Sequence, residues 1–149
     1  MRLIRIKKTI IVNDPFSKEI DLKINKVAIV SKFGAKKSEH APKKIAKELL
    51  DKHVKVFTIY PVLINNTRVV DTVENLQEGK LDFIITLGGD GTTLRTFRNL
   101  SNDTPLLTIN VGGNRGILSE ITLNQIDNAL KQIAAGDIWL DRRTRVVAS

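Results

Sequence analysis

Leu81-Asp-Phe-Ile-Ile-Thr-Leu87 is apolar at nearly every position and runs without a break into Gly88-Gly-Asp-Gly-Thr92. This junction constrains the fold more than any other feature. A strand that is apolar almost throughout has to be covered on both faces, as the strands of parallel sheets are. Glycines directly after it place a tight turn beyond the strand's carboxyl end, and the pattern from about Gly91 to Leu100 predicts a helix next. Six of the nine glycines, Gly88, Gly89, Gly91, Gly112, Gly113 and Gly116, lie within 29 residues. The chemistry is expected there, where the backbone turns or comes close to a ligand.

The rest of the chain reads consistently with that junction. Lys26–Ser31 is a short β-branched strand, and about Pro42 to Asp51 is a helix with Ile45, Ala46, Leu49 and Leu50 on one face and lysines on the other. Val54–Tyr60 and Pro105–Ile109 are further strands, with a weaker segment around Val69–Glu78. Thr122 and Gln125 form a capping box ahead of a helix whose core face is Ile126, Ala129 or Leu130, and Ile133, closed by Gly136. This order predicts an α/β fold, a mostly parallel sheet with helices on both faces, in which ligands bind beyond the carboxyl ends of the strands. Residues 1–25 read as an N-terminal extension in which Lys7–Val12 and Lys18–Ile24 pair as a hairpin across Asn13–Ser17. Residues 26–137 form the α/β domain. Residues 138–149 begin a strand-like run that stops without a turn; such a strand is expected to lack its partner and to start a second, truncated domain, the alternative being an edge strand.

Composition narrows the function. A chain of 149 residues suits one domain, and without cysteine it has neither disulfides nor thiol chemistry. No apolar run approaches the roughly 18 residues a membrane span needs, so a cytoplasmic protein with no membrane partner is expected. The net charge of +8 sits in residues 1–55, which hold 15 Lys and Arg against 6 Asp and Glu, while the remainder holds 9 against 10. Lys36, Lys37, Lys43 and Lys44 raise the possibility of a nucleic-acid module. Aromatics are only 5%, no stacking ladder accompanies the lysines, and no nucleic-acid partner is expected. His40 and His53 stand apart from other metal ligands and read as surface residues.

Gly88–Thr92 offers backbone amides and a helix start to a phosphate, with no Cβ at three of its five positions. It is not a Walker loop, because no Gly-Lys-Ser/Thr follows, and the G-x-G-x-x-G spacing is absent. Asp90 is the odd residue, since a carboxylate repels phosphate unless it has its own task. It can hold a magnesium ion, take a proton from an attacking hydroxyl, or cap the following helix.

The string Gly88-Gly-Asp-Gly-Thr92 resembles the signature of the superfamily of NAD kinases, diacylglycerol-type lipid kinases and phosphofructokinases. The continuation Thr93-Leu94-Arg95 resembles the NAD kinases, as does Gly113-Asn-Arg-Gly-Ile-Leu-Ser-Glu120 beside that family's G-x-x-G-Phe-Leu-Thr-Glu segment. Residues Arg142 to Val147 resemble the start of that family's β-rich second domain. Asn110 stands three residues before Gly113, where the family's Asn stands two before, Ile117 replaces an aromatic, and Thr93 replaces a bulkier apolar residue. The resemblance implies that Asp90 activates the adenosine ribose 2′-hydroxyl of NAD, which attacks the terminal phosphate of ATP, or of polyphosphate, with magnesium arriving on the nucleotide. It implies phosphate or nucleotide contacts from Gly88, Gly89, Gly91, Thr92, Arg95 and Asn110, although Arg95 and Arg98 also fit a solvated helix face. The family's Asn-Glu pair, which grips the NAD ribose from the second domain, has no counterpart here. The chain is therefore expected to be an inactive fragment of an NAD kinase, a homo-oligomer at full length. The alternatives are a lipid-kinase relative and a non-catalytic nucleotide- or anion-binding module.

Overall fold

The computed structural model describes residues 1–6, 24–31, 40–100, 102–111 and 118–142. Among them the strands are β1 (Arg2–Ile6), β2 (Lys26–Ser31), β3 (Lys55–Ile59), β4 (Arg68–Val70), β5 (Phe83–Leu87), β6 (Leu106–Asn110), β7 (Ile121–Thr122) and β8 (Ile138–Arg142). The helices are α1 (His40–Asp51), α2 (Asp90–Arg98) and α3 (Ile126–Ala135). The eight strands form one sheet in the order β4-β3-β2-β5-β6-β1-β8, with β7 beside β6. Every pairing is parallel except that of β1 with β8. The mostly parallel α/β sheet expected from the sequence is the observed fold. No helix among the described residues is long and apolar enough to cross a membrane.

Both faces of the sheet are covered. Val27, Ile29, Phe83, Ile85, Leu107 and Ile109 share one core cluster with Ile45 and Leu49 of α1 and Leu130 and Ile133 of α3. Their alternates Ala28, Val30, Ile84 and Leu106 share a second cluster with Leu76 and, at its margin, Phe97 of α2. This alternation is the period-two geometry of a strand buried on both sides. Each Leu or Ile so buried contributes about 2 kcal/mol relative to exposure.

The helix ends follow their local chemistry. Thr122 and Gln125 form the expected capping box, closing first a single 3-10 turn over Leu123–Gln125 that leads into α3. Gly136 ends α3 at φ 77°, with the Gly136 and Asp137 N–H groups bonded to the carbonyls of Ile133 and Gln132. Helix α1 ends in the same motif, but with His53 in the left-handed position at φ 62°. The N–H groups of His53 and Val54 bond the carbonyls of Leu50 and Leu49. The weak segment after Val69 is the short strand β4 and a 3-10 helix over Glu74–Gly79, which buries Leu76.

Two expectations about the chain ends need correction. Strand β1 falls in the stretch read as an N-terminal extension, yet it lies inside the sheet, between β6 and β8, with Leu3 and Ile4 fully buried. The expected hairpin of Lys7–Val12 and Lys18–Ile24 lies almost wholly outside the described residues. The strand after α3 does have a partner. β8 pairs with β1 from Ile6 opposite Ile138 to Arg2 opposite Arg142, because the antiparallel neighbour comes from the other end of the chain.

From β2 the chain moves outward to β3 and β4, then returns to β5 on the opposite side of β2 and goes on to β6. The direction of winding reverses between β2 and β5. At such a switch point the loops leave the sheet in opposite directions and open a crevice beyond the strands' carboxyl ends.

Candidate functional site

The loop Gly88–Thr92 sits at that switch point. Gly88 directly follows β5 with φ 140°, a conformation that side-chain-bearing residues rarely adopt, and its N–H still bonds the Ile109 carbonyl at 3.1 Å. Gly89 is the N-cap residue of α2, with extended backbone. A Cβ built on Gly89 or on Gly91 would meet no atom within 4 Å. Protein packing does not require glycine at either position, and the space beside them is open. By helix geometry, the N–H groups of Asp90, Gly91 and Thr92 have no carbonyl within the helix to bond.

Asp90 is the first residue of α2 and not its cap, since Gly89 holds that place. Asp90 is half-buried and lies in the first turn of the helix. Its Oδ1 accepts the backbone N–H of Leu118 at 3.0 Å, which ties the loop after β5 to the segment that returns after β6. Helix α2 is seated by a buried hydroxyl pair, Thr86 of β5 and Thr93 of α2, 3.0 Å apart. Thr93, the departure from a bulkier apolar residue, thus has a polar partner in the core.

Asn110 is the last residue of β6, half-buried, one residue beyond Ile109, which lies in register with Leu87. The structure therefore brings Gly88, Gly89, Asp90, Gly91, Thr92 and Asn110 to one sheet edge. Arg95 lies farther along α2, exposed, in the last turn with Arg98. The second glycine cluster, Gly112, Gly113 and Gly116, lies outside the described residues. Among the described residues, no three His, Cys, Asp or Glu side chains converge as metal ligands.

Three neighbours of this edge, Thr108, Leu118 and Glu120, are not among the site residues expected from the sequence, although the last two lie in the Gly113–Glu120 segment. Thr108 is buried in β6, and its hydroxyl donates to the Leu118 carbonyl. The Glu120 carboxylate is nearly buried and paired with Arg5 at 2.8 Å. The available signal was a threonine amid the apolar residues of each of two strands, Thr86 and Thr108, which stand opposite each other. Threonine is common in strands for its branched Cβ alone, so the hydroxyl does not announce itself.

Residues 10–138 match the sequence model of the ATP-NAD kinase N-terminal domain. An NAD kinase of Thermococcus gammatolerans is 41% identical over 71 residues, which is 48% of this chain and 25% of that protein. NAD kinase 2 of Synechocystis is 42% identical over 82 residues, 54% of this chain and 27% of that protein. In these matches the chain spans about a quarter of the length of its curated relatives. Among solved structures, the yeast NADH kinase complexed with NADH superposes with a TM-score of 0.67 at 18% identity, over 78% of this chain and 37% of that one. That likeness establishes the shared fold.

Proposed function

The chain belongs to the ATP-NAD kinase N-terminal domain family, and from that premise we propose that it carries the catalytic base and the phosphate cradle of an NAD kinase. The position of Asp90 carries this reading. A carboxylate stands at the start of a helix, at the switch point of a parallel sheet, beside two glycines with open space above them.

The proposed reaction uses these parts as follows. Asp90 accepts the proton of the adenosine ribose 2′-hydroxyl of NAD as that oxygen attacks the terminal phosphorus of ATP. A new O–P bond forms, the bond from that phosphorus to the bridging oxygen breaks, and ADP departs with the electron pair. The N–H groups at the start of α2 and the open faces of Gly89 and Gly91 receive phosphate oxygens. Asn110 faces the same ligand from the neighbouring strand end, and Arg95 offers a cation from the far end of the helix. Magnesium travels with ATP as part of the substrate. The ribose is gripped by residues of a second, β-rich domain, because holding the hydroxyl in attack geometry is worth many kcal/mol and Asp90 alone does not supply it.

The test is a coupled assay for NADP on the protein extended to the length of its relatives, with ATP and then polyphosphate as donor. Asp90→Asn is expected to lower turnover by about 10²–10⁴-fold, the usual worth of a positioned base, with NAD affinity and melting midpoint nearly unchanged. Retained turnover with a large fall in melting midpoint would reduce Asp90 to a structural residue.

A further inference from the structure

The segment that returns to the sheet after the second glycine cluster is held by a chain of polar contacts ending on Asp90. Leu118 gives its N–H to Asp90 Oδ1 at 3.0 Å, and its carbonyl accepts the hydroxyl proton of Thr108. The N–H of Glu120 is shared between Thr108 Oγ1 at 2.9 Å and the Thr108 carbonyl at 3.1 Å. The Glu120 carboxylate accepts the N–H of Ile6 at 3.1 Å and pairs with Arg5 Nη1 at 2.8 Å. Arg5 Nε also reaches Asp141 of β8 at 3.4 Å.

The sheet explains why these contacts exist. β1 pairs with β6 at Leu3 opposite Leu106, but higher on β6 the neighbour is β7, with Ile109 opposite Ile121 and Asn110 opposite Thr122. β1 and the returning segment thus form a fork on the same edge of β6. Glu120 fills that fork, its carboxylate taking the Ile6 N–H, a ladder donor that β6 does not receive. Burying a carboxylate and a hydroxyl is costly unless each is well partnered. Thr108 is 3% exposed and uses its hydroxyl both as donor and as acceptor. Apolar contacts alone would close such a loop. This arrangement instead fixes the two peptide groups that follow the one that donates to Asp90.

We infer that Thr108 and Glu120 are positioning residues for Asp90, acting through the backbone N–H of Leu118, so that the N-terminal strand β1 takes part in placing the site. This rests on the reading of Asp90 as the base. Two carboxylate orientations separated by a fraction of an ångström differ in whether an oxygen can reach the attacking hydroxyl, and misplacement on that scale costs turnover more than binding.

The experiment pairs Thr108→Val, which keeps the shape and removes the hydroxyl, with Thr108→Ser, which keeps the hydroxyl and removes the methyl group. Amide exchange of Leu118 is followed by NMR in the full chain, with Ile85 of β5 as internal reference, and turnover is measured in the protein extended to the length of its relatives. Thr108→Val is expected to speed Leu118 exchange at least tenfold relative to Ile85 and to lower kcat at least tenfold, with KM for ATP and NAD within about twofold. Thr108→Ser should restore both to within about threefold of the parent, and Glu120→Gln should move both in the direction of Thr108→Val. Unchanged Leu118 exchange and kcat in Thr108→Val would overturn the inference, and so would a loss that serine fails to rescue. Asp90→Asn is assayed in parallel to separate the two readings. If it is inactive while Thr108→Val behaves as the parent, only the positioning role fails. If Asp90→Asn retains turnover, the base reading fails and the positioning role falls with it.

Discussion

The hydroxyls of Thr86 and Thr93 lie 3.0 Å apart inside the joint between β5 and α2, where neither side chain is more than 3% exposed. One hydroxyl donates and the other accepts, so each satisfies its neighbour in a place water does not reach. Removing one leaves the other buried without that partner, which costs about 1–3 kcal/mol, whereas removing both is far milder. Thr86→Val and Thr93→Val are each expected to destabilise by that amount in urea denaturation, and the double variant by less than the sum of the two. Strict additivity would mean the pair is not coupled.

His53 occupies the left-handed position that closes α1, where Gly136 stands in the equivalent motif of α3. A residue with a Cβ pays roughly 1–2 kcal/mol for that conformation. His53→Gly is therefore expected to raise stability by up to about 1 kcal/mol, part of the relief being offset by the greater freedom of glycine in the unfolded chain. Thermal denaturation reads this directly. A lower midpoint would show that the exposed imidazole contributes contacts that outweigh its backbone strain.

Two of the loop glycines, Gly88 and Gly91, should separate by role. Gly88, at φ 140°, is needed by the backbone, and Gly88→Ala is expected to cost of the order of 1–3 kcal/mol. Gly91 lies in the helix with open space around its Cα, so Gly91→Ala should be neutral or stabilising by up to about 1 kcal/mol. If phosphate approaches there, the same variant weakens nucleotide binding because a methyl group fills the gap. Calorimetric titration with ATP, beside a urea melt, distinguishes the two effects. Parent-like ATP affinity in Gly91→Ala would remove Gly91 from the proposed cradle.

Asp127 on α3 provides a check on surface electrostatics. Its carboxyl is held below the ordinary range first by a hydrogen bond and charge from Lys131, at 3.3 Å, and to a lesser degree by Lys52, at 3.7 Å. A carboxyl whose folded pKa is depressed contributes stability that is fully present above its unfolded pKa of about 4 and lost as pH falls through the folded value. The group is exposed, so the effect on folding is small. Its NMR titration should nevertheless move upward in Lys131→Met and in molar salt. A titration midpoint indifferent to both would mean that the pair does not persist in solution.

The chain by itself is expected to form no NADP, while the protein extended to the length of its curated relatives does so in an Asp90-dependent manner. The reason is positional: the proposed base and cradle lie on one sheet edge, and the ribose must be held against them. A coupled NADP assay on the two proteins side by side decides it. Robust turnover by the 149 residues would show that they hold the ribose themselves.

The elements whose chemistry closes within a few residues were legible from the residues alone. Helix α3 is one case, because the Thr122–Gln125 box and the Gly136 terminator are bonded within their own turns. β5 is another, since an apolar run that ends in glycine has few ways to be buried. The end of α1 at Asp51 was legible too, but not its left-handed terminator His53, because a histidine in that position is a weaker signal than a glycine. The placement of β1 between β6 and β8, the fork filled by Glu120 and the tie from Leu118 to Asp90 were decided by tertiary structure. The contacts of Glu120 with Arg5 and Ile6 and of Leu118 with Asp90 join residues 115, 114 and 28 positions apart, and no periodicity or cap within one segment records a partner that distant. Glu120 reads as an ordinary charged residue until folding brings Arg5 and the Ile6 N–H beside it. Its burial is then determined by the geometry of the sheet, because there a parallel neighbour diverges and leaves a backbone donor to be met.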